Sequence, residues 1–391
     1  MGWRSQFFEK SRVLLCHQSR VAELDIRSHG EEIQLPDAPG DSAEKKNGME
    51  MKYEMEADWL LLKTCNFRCT YCGLRPEVLG SKLAVHGTHA QWVEGFNATG
   101  KVWLLHITGG EPGIYPDFVG LCEQLTRDHY LSINSNLSNP SIVDFAERIN
   151  PERVHYFNAA VHSEERQKKA SHEVFIKHVQ KLQKHHFNVL LSVVMTPAMA
   201  STFPELSGYF ESHGLFLLPK AMRGMYQGKS YPAAYTADER TLILEYLAKA
   251  TPKYAAVIER MGEPATIDLL ADARFINSIG DYRGRLCGSG YNFVLIEPDG
   301  TVVRCGSGKH HGKSKIFRKR FGNILLKNVS FLLAPKPCDT SYCPYFCEKY
   351  TSPEFVRLRK GAGTSLVSSL SSLAKRVTLT FRGWWPDQPC F

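Results

Sequence analysis

The sequence predicts an α/β fold: an open (β/α)6 partial TIM barrel followed by a small C-terminal domain made of a β-hairpin and a cysteine-rich segment. Three observations carry this. Six apolar runs begin near Trp59, Val102, Tyr130, Val154, Val189 and Leu215, with helix-like stretches between them. Strands that alternate with helices pair in parallel through right-handed crossovers. Farther on, Asp299-Gly300 lies between β-branched runs, the signal of a hairpin turn. Finally, eight of the 11 cysteines fall in two groups, within 65–72 and 287–347.

Composition sets the bounds. A chain of 391 residues suffices for two or three domains. Its 43% hydrophobic and 23% charged content is ordinary for a globular protein. No apolar run approaches the roughly 18 residues of a membrane span. The first ten residues are polar and mixed in charge, unlike a secretion signal. Clustered rather than scattered cysteines favour a reducing compartment, so a cytoplasmic location is expected. The net charge of +8 permits an anionic partner without demanding one.

Residues 1–55 lack periodicity, and 36–46 is rich in Pro, Gly, Asp and Lys. This span reads as an extension, too short and irregular for an independent peptide-binding domain. The barrel is expected over 56–236. Its first strand, around Trp59-Leu60-Leu61-Leu62, delivers Cys65, Cys69 and Cys72 onto a loop at the strand end. Their spacing is C-x3-C-x2-C. Thiolates this close hold iron–sulfur clusters, and three on a four-iron cluster leave one iron without a protein ligand. A partial zinc site or a chance grouping is the plainer alternative. The second strand runs into Thr108-Gly109-Gly110-Glu111-Pro112.

The region 115–129 reads as helix with Pro116 early in it, 163–186 as helix, and a further helix begins near Phe203-Pro204. The third strand ends in Ser135 and Asn136, where turn chemistry alone accounts for such residues. The fourth ends at His162, which faces a substrate or closes a local hydrogen bond. The fifth is mostly core and stops at Thr196-Pro197. After the sixth, Lys220 and Arg223 lie where a carboxylate or phosphate is clamped, or else in a solvated loop. Residues 237–285 read as a helical connection, with Tyr246, Leu247 and Tyr254 as packing residues.

With Tyr71 before the last cysteine of the triad, and with Gly-Gly-Glu after the second strand, the chain resembles the radical S-adenosylmethionine (radical SAM) superfamily over roughly 57–350. The resemblance implies the following. Cys65, Cys69 and Cys72 hold a 4Fe-4S cluster whose open iron takes S-adenosylmethionine. Gly109, Gly110 and Glu111 meet its methionine ammonium, and Ser135 and Asn136 contact its ribose or carboxylate. Arg223 is a further cofactor-binding candidate. One electron then breaks the bond to the 5′ carbon, and the resulting 5′-deoxyadenosyl radical abstracts hydrogen from an unactivated carbon.

The later cysteines resemble a SPASM or twitch extension, expected over 286–350. Cys287 precedes the hairpin, Cys305 ends it, Gly322-Asn323 follows, and Cys338-x4-Cys343-x3-Cys347 closes the segment. Two full clusters need about eight thiolates. With five present, one auxiliary 4Fe-4S cluster is expected, on Cys287, Cys305 and two of Cys338, Cys343 and Cys347. Structural zinc is the alternative. The remaining thiol of the trio is a candidate hydrogen donor, unassigned among the three. Cys16, Cys122 and Cys390 are spare, and Cys122 reads as core. The basic run 309–320 (Lys313, Lys315, Arg318, Lys319, Arg320) suits a phosphate or a solvated loop. In the tail, 351–391, Leu366, Leu370, Leu373 and Val377 recur at near-helical spacing before Trp384-Trp385, a pattern for packing on the body or touching a partner or membrane surface.

The expected substrate is a small polar molecule, a sugar or sugar-bearing natural product, undergoing epimerisation or dehydrogenation. The expected reductant is a flavodoxin or ferredoxin-type protein, and nucleic acid is not an expected partner. The alternatives are epimerisation or cross-linking of a ribosomally made peptide, RNA modification, and a non-enzymatic iron–sulfur electron-transfer protein.

Overall fold

The computed structural model describes residues 51–261, 276, 281–306, 320–338, 343 and 349–357. Most of the N-terminal extension, Cys16, Cys347, Cys390, the basic run apart from Arg320, and the tail beyond 357 lie outside the described residues. Strand β1 (Met55–Leu62) is followed by α1 (Pro76–Leu79) and α2 (His89–Asn97), then β2 (Trp103–Gly109), α3 (Phe118–Leu125) and β3 (Tyr130–Ser135). Next come α4 (Ser141–Arg148), β4 (Val154–Ala160), α5 (Ser163–Lys168), α6 (His172–Lys184), β5 (Val189–Met195) and α7 (Pro197–Glu211). Strand β6 (Leu217–Ala221) leads to the small hairpin β7 (Gly224–Tyr226) and β8 (Lys229–Tyr231), then to α8 (Ala237–Ala250) and α9 (Ala255–Met261). The C-terminal part holds β9 (Leu286–Cys287), β10 (Phe293–Ile296), β11 (Thr301–Val303), β12 (Arg320–Asn323), β13 (Lys336–Pro337) and α10 (Pro353–Arg357).

The six expected strands are present, and β1 to β6 pair in parallel in sequence order. The sheet continues past β1. Strand β10 pairs with it in parallel, Glu56 opposite Phe293, and β11 and β12 follow antiparallel, giving nine strands. The hairpin of the cysteine-rich region therefore extends the barrel sheet rather than standing apart from it. Its turn spans residues 297–300, with Gly300 N–H bonded to the Glu297 carbonyl at 2.9 Å, so Asp299-Gly300 form the second half of a four-residue connection.

Successive strand residues face opposite sides of a sheet. One side is apolar and covered by helices: Trp59, Leu105, Ile133, Phe157, Leu191 and Leu217 are all buried there. Trp59 packs on Trp92 and Phe96 of α2, with ring centroids 4.7 and 5.1 Å apart.

Helix boundaries differ from the sequence expectation in three places. The stretch 163–186 breaks into α5 and α6 because Ala170 takes φ +47. Helix α7 starts at Pro197, capped by the Thr196 side chain on Met199 N–H, and Pro204 falls inside it. Pro116 precedes α3, whose cap is Asp117. A proline at the first helical position and a threonine before it are the stronger start signal.

His129, just before β3, is 1% exposed and lies edge-on to Phe96. Burial pushes its imidazole down to about 4. The folded state thus binds this proton more weakly than the unfolded chain, so stability is intact above the unfolded value near 6.5 and falls as pH drops toward 4. Urea titrations at pH 7 and 5 are expected to show a loss from this group of about 2 kcal/mol, smaller by that amount in a His129→Phe variant.

Candidate functional site

The carboxyl ends of β1, β2, β3 and β4 meet at one place. After β1 the chain passes Lys63 and Thr64 into the cysteine loop. After β2 it lies directly on that segment: Gly110 N–H bonds the Leu62 carbonyl at 2.9 Å, and Glu111 N–H bonds the Thr64 carbonyl at 3.0 Å. A Cβ on Gly109 would stand 2.0 Å from the Leu62 oxygen, and one on Gly110 would stand 1.9 Å from the Thr64 oxygen. Only glycine permits this contact, and Gly109 also takes φ +125.

Glu111 is 1% exposed. Its Oε1 accepts from Ser135 Oγ at 2.7 Å and Gly113 N–H at 2.9 Å, and its Oε2 accepts from Asn136 N–H at 2.7 Å. Burial raises the carboxyl above its ordinary value, opposed by these donors and by the Arg166 charge. Asn136 donates to Asn66 Oδ1 at 2.9 Å, and Asn66 donates to Ser138 Oγ at 2.7 Å. The cysteine loop, the glycine-glycine-glutamate segment and the end of β3 are thus one hydrogen-bonded unit. The expected site residues Glu111, Ser135 and Asn136 come together in it.

The fourth strand grips the loop from the other side. Arg68 N–H bonds Glu165 Oε2 at 3.0 Å, and Tyr71 OH and His162 Nδ1 are 2.7 Å apart. Burial pushes the His162 imidazole down to about 4, with the Arg166 charge acting the same way. Arg166, which the sequence reading overlooked, is fully buried. Its guanidinium bonds the carbonyls of Val161 and Asn136 and lies over Phe175 and Phe67, 4.0 and 5.5 Å from the ring centroids. Burial lowers it to about 9 while Glu111 works to raise it. The Glu-Glu-Arg run after a strand was the only signal, and it resembles an ordinary exposed helix start.

Cys65 and Cys69 are half-buried and Cys72 is exposed. Burial pushes Cys65 up to about 11 and Cys69 to about 12; a coordinating metal outweighs such a shift by deprotonating the thiol outright. Among the described residues no three His, Cys, Asp or Glu side chains take a single-ion geometry. The fit of this loop to a cluster rests on its donors: three thiols, with Phe67 N–H 3.3 Å from Cys65 Sγ and Leu74 N–H 3.5 Å from Cys72 Sγ. Hydrogen bonds to sulfur are one of the levers on cluster potential.

The second cysteine group converges likewise. Cys287 and Cys305 are buried in a small core with Tyr282, Phe293, Tyr350 and Phe355, and Cys338 and Cys343 pack against it. Strand β13 pairs with β9, Lys336 opposite Cys287, and Cys338 N–H bonds the Arg285 carbonyl at 2.8 Å. Ser289 N–H is 3.4 Å from Cys287 Sγ. Buried Arg304 ties the Ser289 carbonyl, at 3.1 Å, to those of Lys336 and Pro337, at 3.2 and 3.3 Å. Cys122 is core, with 0% exposure. Arg223 is half-buried between β6 and β7, away from the Glu111 unit in sequence and strand order.

The sheet side opposite the helices carries a set of polar side chains among apolar ones, which the sequence reading also missed. Glu56 there takes Tyr53 OH at 2.5 Å and His106 Nε2 at 3.2 Å; His106 Nδ1 bonds Ser132 Oγ; Asn158 Nδ2 donates to Asn134 Oδ1 at 2.7 Å. Period-two alternation in β1 and β3 was a partial signal, and the other strands carry a single polar residue or two among apolar ones. A separate cavity of about 660 Å³ opens beside Leu62, Lys63 and Thr64, under the hairpin turn at Glu297 and Asp299 and next to Arg320.

This parallel sheet, with a three-thiol loop and a buried glutamate at its carboxyl ends, defines a radical SAM domain. Residues 59–204 match the model of the radical SAM superfamily. The cofactors of such a domain are S-adenosylmethionine and a 4Fe-4S cluster. Among solved structures, anSMEcpe with bound AdoMet is similar at 15% identity and a TM-score of 0.45, covering 70% of this chain and 75% of that one. SuiB of Streptococcus suis bound to S-adenosylmethionine is similar at 13% identity and a TM-score of 0.45, covering 82% and 71%. SuiB has also been solved with its precursor peptide SuiA, at 15% identity and a TM-score of 0.45, covering 82% and 70%. Likenesses this distant carry nothing about activity. No curated protein matches the chain. Among the described residues no helix is long and apolar enough to cross a membrane.

Proposed function

We propose that Cys65, Cys69 and Cys72 hold the catalytic cluster and that the S-adenosylmethionine ammonium is received at Gly109, Gly110 and Glu111, with Ser135 and Asn136 beside it. The observation that carries this reading is the single hydrogen-bonded unit joining Glu111 to the end of β3 and, through Asn136 and Asn66, to the cysteine loop. When bound, these cofactors supply a carbon-centred radical that takes hydrogen from an unactivated carbon. Glu111 and its donors fix an acceptor for the ammonium. His162, Glu165 and Arg166 hold the loop in place, and the polar face of the sheet seats the substrate.

Cys287, Cys305, Cys338 and Cys343 are the proposed ligands of one auxiliary cluster, supported by their shared core. Cys347 is then the spare thiol and the candidate hydrogen donor for an epimerisation. For the substrate, the peptide alternative is the reading to test first: SuiB has been solved with a precursor peptide, and the sugar expected from the sequence has no counterpart among the molecules named with the compared structures. A cytoplasmic location and a flavodoxin or ferredoxin-type reductant remain part of the proposal.

Anaerobic reconstitution is expected to give about eight irons per chain and release of 5′-deoxyadenosine with dithionite. Replacing Cys65, Cys69 and Cys72 by alanine together should halve the iron and end the release. Replacing Cys287 and Cys305 should halve the iron from the other site. Fully loaded wild-type protein that released no 5′-deoxyadenosine would overturn the reading.

A further inference from the structure

We propose that the substrate is anchored by an oxyanion, a carboxylate or a phosphate, on Lys220 of β6. This rests on the radical SAM reading above and names what its substrate must carry.

The placement follows from register. Asn134 pairs with Asn158, Ala160 with Ser192, and Val194 with Lys220. Paired residues of a sheet face the same side, and so do residues two apart in a strand. Lys220 therefore lies on the same face as Ser192, Asn158 and Asn134, two residues farther toward the carboxyl ends than Ser192 and four farther than the Asn134–Asn158 pair. Exposure along that face is graded. Within β1, β2 and β3, Glu56, His106 and Ser132 are buried, whereas Asp58, Thr108 and Asn134, each two residues farther on, are half-exposed, as is Lys220 near the end of β6. The face opens toward the end that carries Glu111 and the cysteine loop.

The polar groups of the floor satisfy one another through the Tyr53–Glu56–His106–Ser132 chain and the Asn134–Asn158 pair. The Lys220 side chain has no hydrogen bond or ion pair among the described residues, although its neighbours within β6 are buried and apolar. A half-buried lysine whose side chain has no counter-charge is available to pair with an anionic ligand.

The methionine carboxylate of S-adenosylmethionine is not that ligand. It shares a carbon with the ammonium assigned to Glu111, after β2. Lys220 is four strands away, roughly 19 Å along the sheet at about 4.8 Å per strand.

The test uses reconstituted holoenzyme with S-adenosylmethionine and two probes, inorganic pyrophosphate and glutarate, followed by calorimetry. At least one should bind. Lys220→Met should weaken it about tenfold or more, about 1.4 kcal/mol, and Lys220→Arg should retain most of it. Tighter pyrophosphate binding assigns a phosphate-bearing substrate, and tighter glutarate binding a carboxylate, such as an acidic peptide residue. A second measurement needs no variant: acetylation of wild-type Lys220 by acetic anhydride, read by mass spectrometry, should slow when the probe is present. Absence of binding by both probes, equal binding by Lys220→Met, or unprotected Lys220 would overturn the anchor. Release of 5′-deoxyadenosine by the same wild-type preparation is scored separately. Release without Lys220-dependent binding sinks the anchor alone, and no release sinks the reading beneath it.

Discussion

Gly110→Ala is expected to lower 5′-deoxyadenosine formation by about 100-fold or more, and stability by about 3 kcal/mol or more. The new methyl would stand 1.9 Å from the Thr64 oxygen and 2.4 Å from the Thr64 carbonyl carbon, both backbone atoms with no side-chain freedom to yield. Relief requires the segment after β2 to lift off the segment before Cys65. That movement breaks Gly110 N–H to Leu62 O and Glu111 N–H to Thr64 O, and displaces Glu111 from Ser135 and Asn136. A misplacement of about 1 Å at a reacting centre costs on the order of 100-fold. Gly100→Ala is the control. It also has positive φ, at +64, but nothing lies within 4 Å of an added Cβ, so it should cost only about 1 kcal/mol and leave activity near wild type. Urea denaturation and single-turnover release, measured on both variants, check the pair. Equal behaviour would show that the close approach of the two segments is not what the glycine provides.

Arg166→Leu is expected to cost about 3–5 kcal/mol, the range for stripping one partner from a buried charged network. Glu111 would lose the nearby positive charge, and the carbonyls of Val161 and Asn136 would lose their donor. At about 2–4 °C per kcal/mol the melting temperature should fall on the order of 10 °C. Arg166→Lys keeps the charge but not the fork that reaches two carbonyls while lying flat over Phe175, so it should fall between Leu and wild type. Thermal melts of the three proteins, with iron content after gel filtration, test this. A Lys variant as unstable as the Leu variant would assign the effect to packing rather than to charge.

The six strands were legible because each is a short apolar run flanked by polar segments, and Cys65, Cys69, Cys72 and Glu111 because their spacing is distinctive within a few residues. Less was legible where side chains from distant segments meet. Arg166 looks like one more charge at a helix start, and only the fold shows that four segments close over it. The polar face of the sheet was hidden for another reason. In the YLSINS and VLLSVVM strands one or two polar residues sit among apolar ones, and only strand register lines them up as one surface. The parallel pairing of β10 with β1 had no local signal, since it joins residues far apart in the chain.

That pairing has a consequence for how the protein is made. One edge of β1 stays uncovered until Phe293 emerges, well over 200 residues after Glu56. At 5–20 residues per second the nascent chain carries this open edge for roughly ten to fifty seconds. An unpaired, strongly apolar strand edge invites sticking to other chains. Translation that stalls before the second cysteine group should leave a product that depends on chaperones to stay dispersed, even though the loops that carry Cys65, Cys69, Cys72 and Glu111 have already been synthesised.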